Sequence, residues 1–164
     1  MGALLIRRAT TADQQTIEHN INMICQEGIY LVPSHFVMPD RWRRILEAGG
    51  ERENDLILVA EVEGRVVGHT RAFTTPGTCA HVADLGMALI EGYRNQGLGS
   101  RLMDAIIDWA GLKGLRKLTL GVFANNLRAI HVYEKFGFAV EGVLTEQHLV
   151  QGEYVDEIVM AKFL

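Results

Sequence analysis

Cysteine is rare in this sequence, whose 164 residues include only Cys25 and Cys79. Two cysteines cannot form a disulfide framework, and their spacing from histidine matches no zinc site. A chain that does not depend on disulfides suits a reducing compartment. We therefore expect a cytoplasmic protein that holds no metal ion.

Proline and long apolar runs are also scarce. Three prolines and the lack of any low-complexity tract leave no obvious linker, so residues 1–164 are predicted to form a single domain. Charged residues come too soon after the start for a secretory leader, and no apolar run approaches the length of a membrane span. We therefore expect neither export nor membrane insertion.

An excess of basic residues is missing as well. The 16 Lys and Arg stand against 20 Asp and Glu, which gives a formal net charge of −4 at pH 7. Binding to nucleic-acid phosphates requires clustered Lys and Arg, so nucleic acid is not an expected partner. The remaining composition, 48% hydrophobic and 22% charged, predicts a globular domain that folds by itself.

Apolar periodicity and turn residues predict a chain in which strands first form a hairpin and then alternate with helices. This order favours an α/β fold with a mixed sheet. The segment 28–39 carries two prolines among bulky residues and is predicted to be a lid. The predicted strands are 3–8, 55–63, 65–73, 81–90, 118–123, 138–148 and 154–163, and the predicted helices are 11–26, 40–48, 97–112 and 126–135.

The most informative stretch is 87–100, MALIEGYRNQGLGS, where a strand end passes through a loop into a helix. Gly97 and Gly99 let the backbone approach a ligand, and the new helix offers unpaired N–H groups and the positive end of its dipole. This pattern is typical of an anion site. The alternative for so short a pattern is a glycine-rich helix cap that binds nothing.

Two motifs that are missing from the loop argue against two classes of anionic ligand. It has neither the Lys-Ser/Thr pair of a P-loop nor the longer glycine pattern of dinucleotide-binding proteins. A nucleoside triphosphate or a nicotinamide cofactor therefore fits poorly. The pattern that remains is R-x-x-G-x-G, formed by Arg94, Gly97 and Gly99.

Two motifs in this sequence resemble those of a known family. Residues 94–99, RNQGLG, are similar to the pyrophosphate-binding loop of the GNAT superfamily of acyl-CoA-dependent N-acyltransferases. Residues 126–138, NLRAIHVYEKFGF, resemble the N-x-x-A-x-x-x-Y-x-K-x-G-F signature of the same superfamily. The resemblance to its amino-acid and phosphinothricin-acetyltransferase-like branch covers residues 81–156 and is weaker before residue 55.

The resemblance implies both a fold and a reaction. The fold would be a central, mostly antiparallel sheet that is splayed at the cofactor site and flanked by helices. The co-substrate would be acetyl-CoA, and the acceptor would be a primary amine of a small molecule such as an amino acid. Amine and acetyl-CoA would bind together, and the amine would attack directly.

The family's cofactor contacts carry over to matching positions of this chain. The pantetheine arm would pair, as an added strand, with the backbone of Met87, Ala88 and Leu89. Arg94 would add a charge-assisted contact or cap the loop. Asn126 would hydrogen-bond the pantetheine arm, act as a helix N-cap, or do both. The pyrophosphate would be held by the backbone amides of Asn95, Gln96, Gly97, Leu98, Gly99 and Ser100.

Three side chains are predicted to handle protons. The resemblance makes Tyr133 the donor to the departing thiolate, since a phenol can give up a proton; the alternative is a tyrosine packed in the core. Asp84 would accept the ammonium proton, with a bridging water because Asp is shorter than the Glu of several relatives. The alternative for Asp84 is a strand-edge carboxylate that orders its neighbours, and His81 is a second base candidate.

The resemblance places Glu27, Tyr30 and Tyr154 around the acceptor, although charged residues in a lid also suit a solvated surface. Two other activities stay open, namely transfer to a protein or peptide N-terminus and non-catalytic sensing of acyl-CoA. The family also makes a homodimer an expectation. Its apolar contacts would come from the last strands, from Val155, Ile158 and Met160.

Overall fold

The computed structural model describes residues 2–30 and 35–164, and in that range the chain forms eight strands and four α-helices. A single turn of 3₁₀ helix, Thr11–Asp13, leads into the first α-helix. The strands are β1 (Leu4–Arg8), β2 (Glu51–Arg52), β3 (Asp55–Val62), β4 (Arg65–Thr74), β5 (Val82–Leu89), β6 (Lys117–Phe123), β7 (Ala139–Val150) and β8 (Glu153–Phe163). The helices are α1 (Gln14–Glu27), α2 (Asp40–Glu47), α3 (Leu98–Leu112) and α4 (Leu127–Lys135).

The helices and strands that the sequence predicts are all present, with ends that differ by a few residues, and β2 is an addition. The helix predicted to begin at residue 11 begins as a 3₁₀ turn. There the Asp13 carboxylate turns back to the Thr10 N–H at 2.8 Å and to the Arg7 guanidinium at 2.8 and 2.9 Å. Part of the predicted lid, residues 31–34, lies outside the described residues.

The strands form one mixed sheet in the order β1-β3-β4-β5-β6-β8-β7, with β2 paired to β3. Neighbouring strands run antiparallel except β5 and β6, which run parallel. The crossover between these two strands is α3, as expected for a parallel connection.

The sheet opens between β5 and β6. These strands share only three residue pairs, from Val82 with Lys117 to Asp84 with Thr119. Beyond this point β5 continues alone along β4, and β6 continues alone along β8. The predicted sheet, mostly antiparallel and splayed at one place, is thereby confirmed.

Helices cover both faces of the sheet. Successive side chains of β3 point to opposite faces, and the two sets belong to different core clusters. Leu56, Leu58 and Ala60 belong to a core cluster with α3 residues such as Leu102 and Met103. Ile57 and Val59 belong to a second cluster that includes buried residues of α1 and α2, namely Ile17, Ile21, Trp42, Ile45 and Leu46. The sheet is therefore packed against α3 on one face and against α1 and α2 on the other.

Candidate active site

The loop after β5 and the start of α3 form a cradle of unpaired backbone N–H groups. Gly97 precedes the helix with φ of 80°, in the left-handed region that side chains with a Cβ rarely adopt. Among the described residues, no acceptor takes a hydrogen bond from the N–H groups of residues 97–100, and the first helical bond is Arg101 N to Gly97 O at 3.1 Å. These unpaired donors and the helix dipole suit an anionic ligand.

Arg94 holds this loop in place. Its Nη1 and Nη2 lie 2.8 and 2.7 Å from the Glu27 carboxylate, and its Nε donates to Leu89 O at 2.8 Å. The guanidinium also lies over the Tyr30 ring, 4.8 Å from its centroid. The hydrogen bonds that Arg94 donates to Glu27 raise the pKa of Arg94. Of the two roles open to Arg94, this geometry favours the loop cap, and Glu27 is its partner.

The backbone of β5 offers donors and acceptors to the opening. Ile90 N donates to Val67 O at 3.0 Å, and hydrogen-bonded pairs alternate along an antiparallel ladder. It follows that the N–H and C=O groups of Ala88 face β4, whereas those of Met87 and Leu89 face the opening. An extended ligand could pair with Met87 and with Leu89 N–H, because Leu89 O already accepts from Arg94.

Asn126 and Tyr133 reach the same opening from α4. Asn126 Oδ1 accepts from Ala129 N at 3.2 Å, so Asn126 is the helix N-cap. Tyr133 lies about two turns further along the helix, and burial raises the pKa of its phenol to about 12. The phenol therefore keeps its proton in the neutral range and can act as a donor.

A cavity of about 860 Å³ runs through the opening. The cradle at the start of α3 and the charged side chains of Arg71 and Asp84 both line it. Asp84 lies near the start of β5 and the cradle follows the end of β5, so the two lie at opposite ends of the cavity. The cavity brings together most of the predicted site residues, namely Tyr30, Asp84, Met87, Ala88, Leu89, Arg94, Asn95, Gly97, Gly99, Ser100, Asn126 and Tyr133.

Five other sequence candidates lie away from the described lining of this cavity. The Gln96 side chain donates to Gly92 O at 2.7 Å, and Leu98 is buried in the core. For both, any ligand contact would come from the backbone. Tyr154 is 68% exposed on β8, and Glu27 is engaged by Arg94. His81 is exposed just before β5.

Asp84 shares its end of the cavity with a cation that sequence reasoning missed. Arg71 Nη1 lies 2.7 Å from Asp84 Oδ2, and the guanidinium lies over Gly86, where a Cβ would come within 3.0 Å of Nε. Nε and Nη2 of Arg71 bond to no described residue. No sequence motif marks Arg71, because its position depends on the pairing of β4 with β5.

Aromatic residues and a buried histidine complete this end of the cavity. His69, Trp42 and Phe36 line it, with the His69 and Phe36 rings 5.6 and 5.5 Å from the Trp42 ring. Burial, together with the Arg71 charge, lowers the pKa of His69 to about 4. His69 is therefore neutral at physiological pH. The spacing of these residues in sequence gives no signal for their convergence.

Residues 20–138 match the Acetyltransferase (GNAT) family. The chain belongs to this family of acetyltransferases, and the resemblance carried by its two motifs is confirmed. In residues 2–30 and 35–164, no group of three His, Cys, Asp or Glu side chains could hold a metal ion. Within the same ranges, no helix has the length and apolar character needed to span a membrane.

Relatives of the chain match it along nearly its whole length. The L-amino acid N-acetyltransferase AaaT of Escherichia coli (strain K12) is 33% identical over 168 residues, 99% of each chain. The GNAT-family acetyltransferase of Streptococcus pneumoniae has a similar structure, with a TM-score of 0.89, 27% identity and 99% of each chain covered. The phosphinothricin acetyltransferase (Pat) of Sinorhizobium meliloti, solved in complex with acetyl-CoA, shares the fold at 18% identity and a TM-score of 0.84, over 98% of this chain and 88% of that one.

The cradle can be tested at Gly97. Alanine there would pay about 1–2 kcal/mol to keep the left-handed conformation, so Gly97→Ala should bind coenzyme A about tenfold more weakly or worse. Gly111→Ala, in α3 where a Cβ meets no atom within 4 Å, is the matched control and should bind normally. Calorimetric titration measures both, and equal affinities would contradict the cradle.

The buried His69 side chain should make the free energy of unfolding depend on pH. Its pKa is lower in the folded protein than in the unfolded chain, so the unfolded chain takes up the proton first as pH falls below about 6.5. Between pH 6.5 and pH 4, the free energy of unfolding of the wild type should then fall by about 3 kcal/mol more than that of His69→Phe. Urea unfolding at both pH values measures this. His19→Phe, at an exposed position, should keep the wild-type slope.

Proposed function

We propose that this chain transfers the acetyl group of acetyl-CoA to the primary amine of an amino acid or a closely related small molecule. The observation that carries the proposal is the single cavity that joins the α3 cradle to the Arg71 and Asp84 pair. One end of this cavity suits a pyrophosphate, and the other suits a small charged acceptor.

At the cofactor end, the contacts to acetyl-CoA would come mainly from backbone groups. The unpaired N–H groups of residues 97–100 would hold the pyrophosphate. The pantetheine arm would pair with the backbone of Met87 and Leu89, and the Asn126 amide would add a hydrogen bond. Bound in this way, acetyl-CoA would supply the thioester carbonyl that the amine attacks.

At the acceptor end, charge and shape both suit an amino acid. The unengaged Nε and Nη2 edge of Arg71 has the planar two-donor geometry that recognises a carboxylate. Tyr30, Phe36 and Trp42 add aromatic surface for an apolar side chain. The Escherichia coli relative is an L-amino acid N-acetyltransferase, which supports the same class of acceptor.

The proton steps use groups at both ends. An ammonium has no lone pair, so a base must take a proton before attack. Asp84 is the base that the sequence predicts, directly or through a water, and its Oδ2 is already held by Arg71. Tyr133 would protonate the departing thiolate. The N–H group of Met87 would steady the negative charge on the carbonyl oxygen, which leaves Met87 C=O and Leu89 N–H to the pantetheine arm.

Tyr133 provides the first test. Release of free thiol from acetyl-CoA is measured with L-amino acids, polyamines, aminoglycosides and short peptides as acceptors. For the best acceptor, Tyr133→Phe should lower kcat about 100-fold, with unchanged affinity for acetyl-CoA, because only the proton donor is lost. Tyr93→Phe is the matched control; this ring packs under Arg65 at 5.9 Å and away from the cavity lining.

The panel also separates the rival activities. Turnover of peptides alone would favour transfer to a protein N-terminus. Tight binding of coenzyme A without thiol release for any amine would favour a sensor. Full kcat in Tyr133→Phe would overturn the acid role and leave the rest of the proposal in place.

Arg71 tests the class of acceptor. For the best amino acid of the panel, Arg71→Gln should raise KM about 10- to 100-fold, because a charge-assisted bond to the carboxylate is lost. The carboxamide of the same amino acid has no carboxylate and should show little change in KM. An equal rise for both acceptors would mean that Arg71 does not bind the carboxylate.

A further inference from the structure

A second carboxylate faces the opening from the side opposite Asp84. Glu157 lies on β8, where it pairs with Phe123 on β6 and with Leu144 on β7. Its side chain lines the cavity. Phe123 is the last residue of β6, well beyond the point where β6 leaves β5. Glu157 therefore reaches the cavity from the β6 side of the opening, over the backbone of β6.

The register of the sheet places Glu157 on the acceptor side. Paired residues share a face, and alternate residues of one strand share a face. Asp84 pairs with Thr119, and Thr119, Gly121 and Phe123 alternate along β6. Because Phe123 pairs with Glu157, the Asp84 and Glu157 side chains lie on the same face.

Glu157 also lies closer than Asp84 to the backbone proposed to hold the pantetheine arm. From Thr119 to Phe123 is four residues, about 13 Å along the strand. If the parallel register of β5 and β6 is extended, Phe123 lies level with Ala88. The backbone of Glu157 is thus across the opening from residues 87–89, and its carboxylate extends over Gly121, which lies level with Gly86. Asp84, by contrast, lies where the two strands are still paired.

A histidine holds this carboxylate. Glu157 Oε2 and His148 Nε2 are 2.5 Å apart, and the His148 ring packs on Phe123 with 4.8 Å between ring centroids. The two side chains are only 12% (His148) and 24% (Glu157) exposed. The pair is therefore fixed by packing as well as by its hydrogen bond.

The other oxygen of Glu157 is left to the cavity. Glu157 lies across the bare backbone of Gly121, where an added Cβ would overlap Oε1 at 2.1 Å. No described residue donates a hydrogen bond to Oε1. By contrast, Asp84 is bound by Arg71 through Oδ2. Of the two carboxylates on this face, Glu157 is the one without a cationic Arg or Lys partner in the described structure.

We propose that Glu157 binds the acceptor ammonium through Oε1 and accepts its first proton, with His148 as the residue that positions the carboxylate. This deepens the proposed function and rests on it. Asp84 then serves to orient Arg71. The assignment follows from the shared face, the position across from residues 87–89 and the unengaged oxygen.

The proton count closes for this step. The ammonium gives one proton to Glu157, which later releases it to solvent, and the neutral amine attacks the thioester carbonyl. The N–C bond forms and the C–S bond breaks. The thiolate takes the Tyr133 proton, and the second proton lost by the nitrogen returns to Tyr133.

The test compares four variants with the best acceptor of the panel. Glu157→Gln should lower kcat about 100-fold or more, because the base is lost, with unchanged affinity for acetyl-CoA. Glu157→Asp should recover part of the lost kcat. His148→Gln should lower kcat about tenfold with little change in KM for acetyl-CoA. Glu141→Gln, whose Lys117 partner lies 2.7 Å away on the surface, should behave as wild type.

Asp84→Asn decides between the two carboxylates. If Glu157→Gln keeps kcat within about threefold of wild type while Asp84→Asn loses it, the assignment to Glu157 is overturned and the proposed function stands. Retained turnover in both variants also overturns it. Loss in Glu157→Gln with partial recovery in Glu157→Asp supports it.

A binding measurement tests Glu157 without turnover. Calorimetry on the protein saturated with coenzyme A gives the affinity for each panel amine. The amine that binds best should bind about tenfold more weakly or worse to Glu157→Gln, because an ion pair is lost. If the wild type binds amines but turns over none, the proposed function fails while this result still decides the ammonium contact. A wild type that binds no amine overturns both.

Discussion

The parting of β5 from β6 after three residue pairs is the constraint on which the site depends. A strand that leaves its neighbour exposes peptide groups, and such groups must find partners in a ligand or in water. Here they belong to Met87 and Leu89, directly before the loop that starts α3. One break in the ladder thus creates the cavity and aligns it with the unpaired N–H groups of the cradle.

Ion pairs hold the walls of this opening at fixed positions. Arg94 joins the loop to Glu27 at the end of α1 and to Leu89 O, so the cradle is held against the first helix of the α1–α2 layer. Arg71 and Asp84 pair on the β4–β5 side, and His148 with Glu157 on the β7–β8 side. The Arg94–Glu27 and His148–Glu157 pairs are partly shielded from solvent, so they are screened less than an exposed pair, whereas the Asp84 side chain is 53% exposed.

Much of the fold was predictable from local patterns. Ile17, Ile21 and Ile24 recur at helical spacing, and all three are buried in α1. The two motifs at residues 94–99 and 126–138 also predicted the cradle and the start of α4, because backbone geometry there depends on nearby residues. By contrast, the 3₁₀ turn at Thr11–Asp13 depends on Arg7, which reaches Asp13 from β1.

By itself, the sequence determined the order of helices and strands, the family, the turn at Gly97 that begins α3 and the place of Tyr133 on α4. These features depend on short stretches of sequence, because periodicity, glycines and capping residues act locally. Only the tertiary structure decided which side chains meet across the cavity beyond the cradle. Arg71 reaches Asp84 through the pairing of β4 with β5, and Glu157 reaches the cavity through the pairing of β6 with β8. Register between distant strands is a property of the whole sheet, so no local pattern could reveal these neighbours.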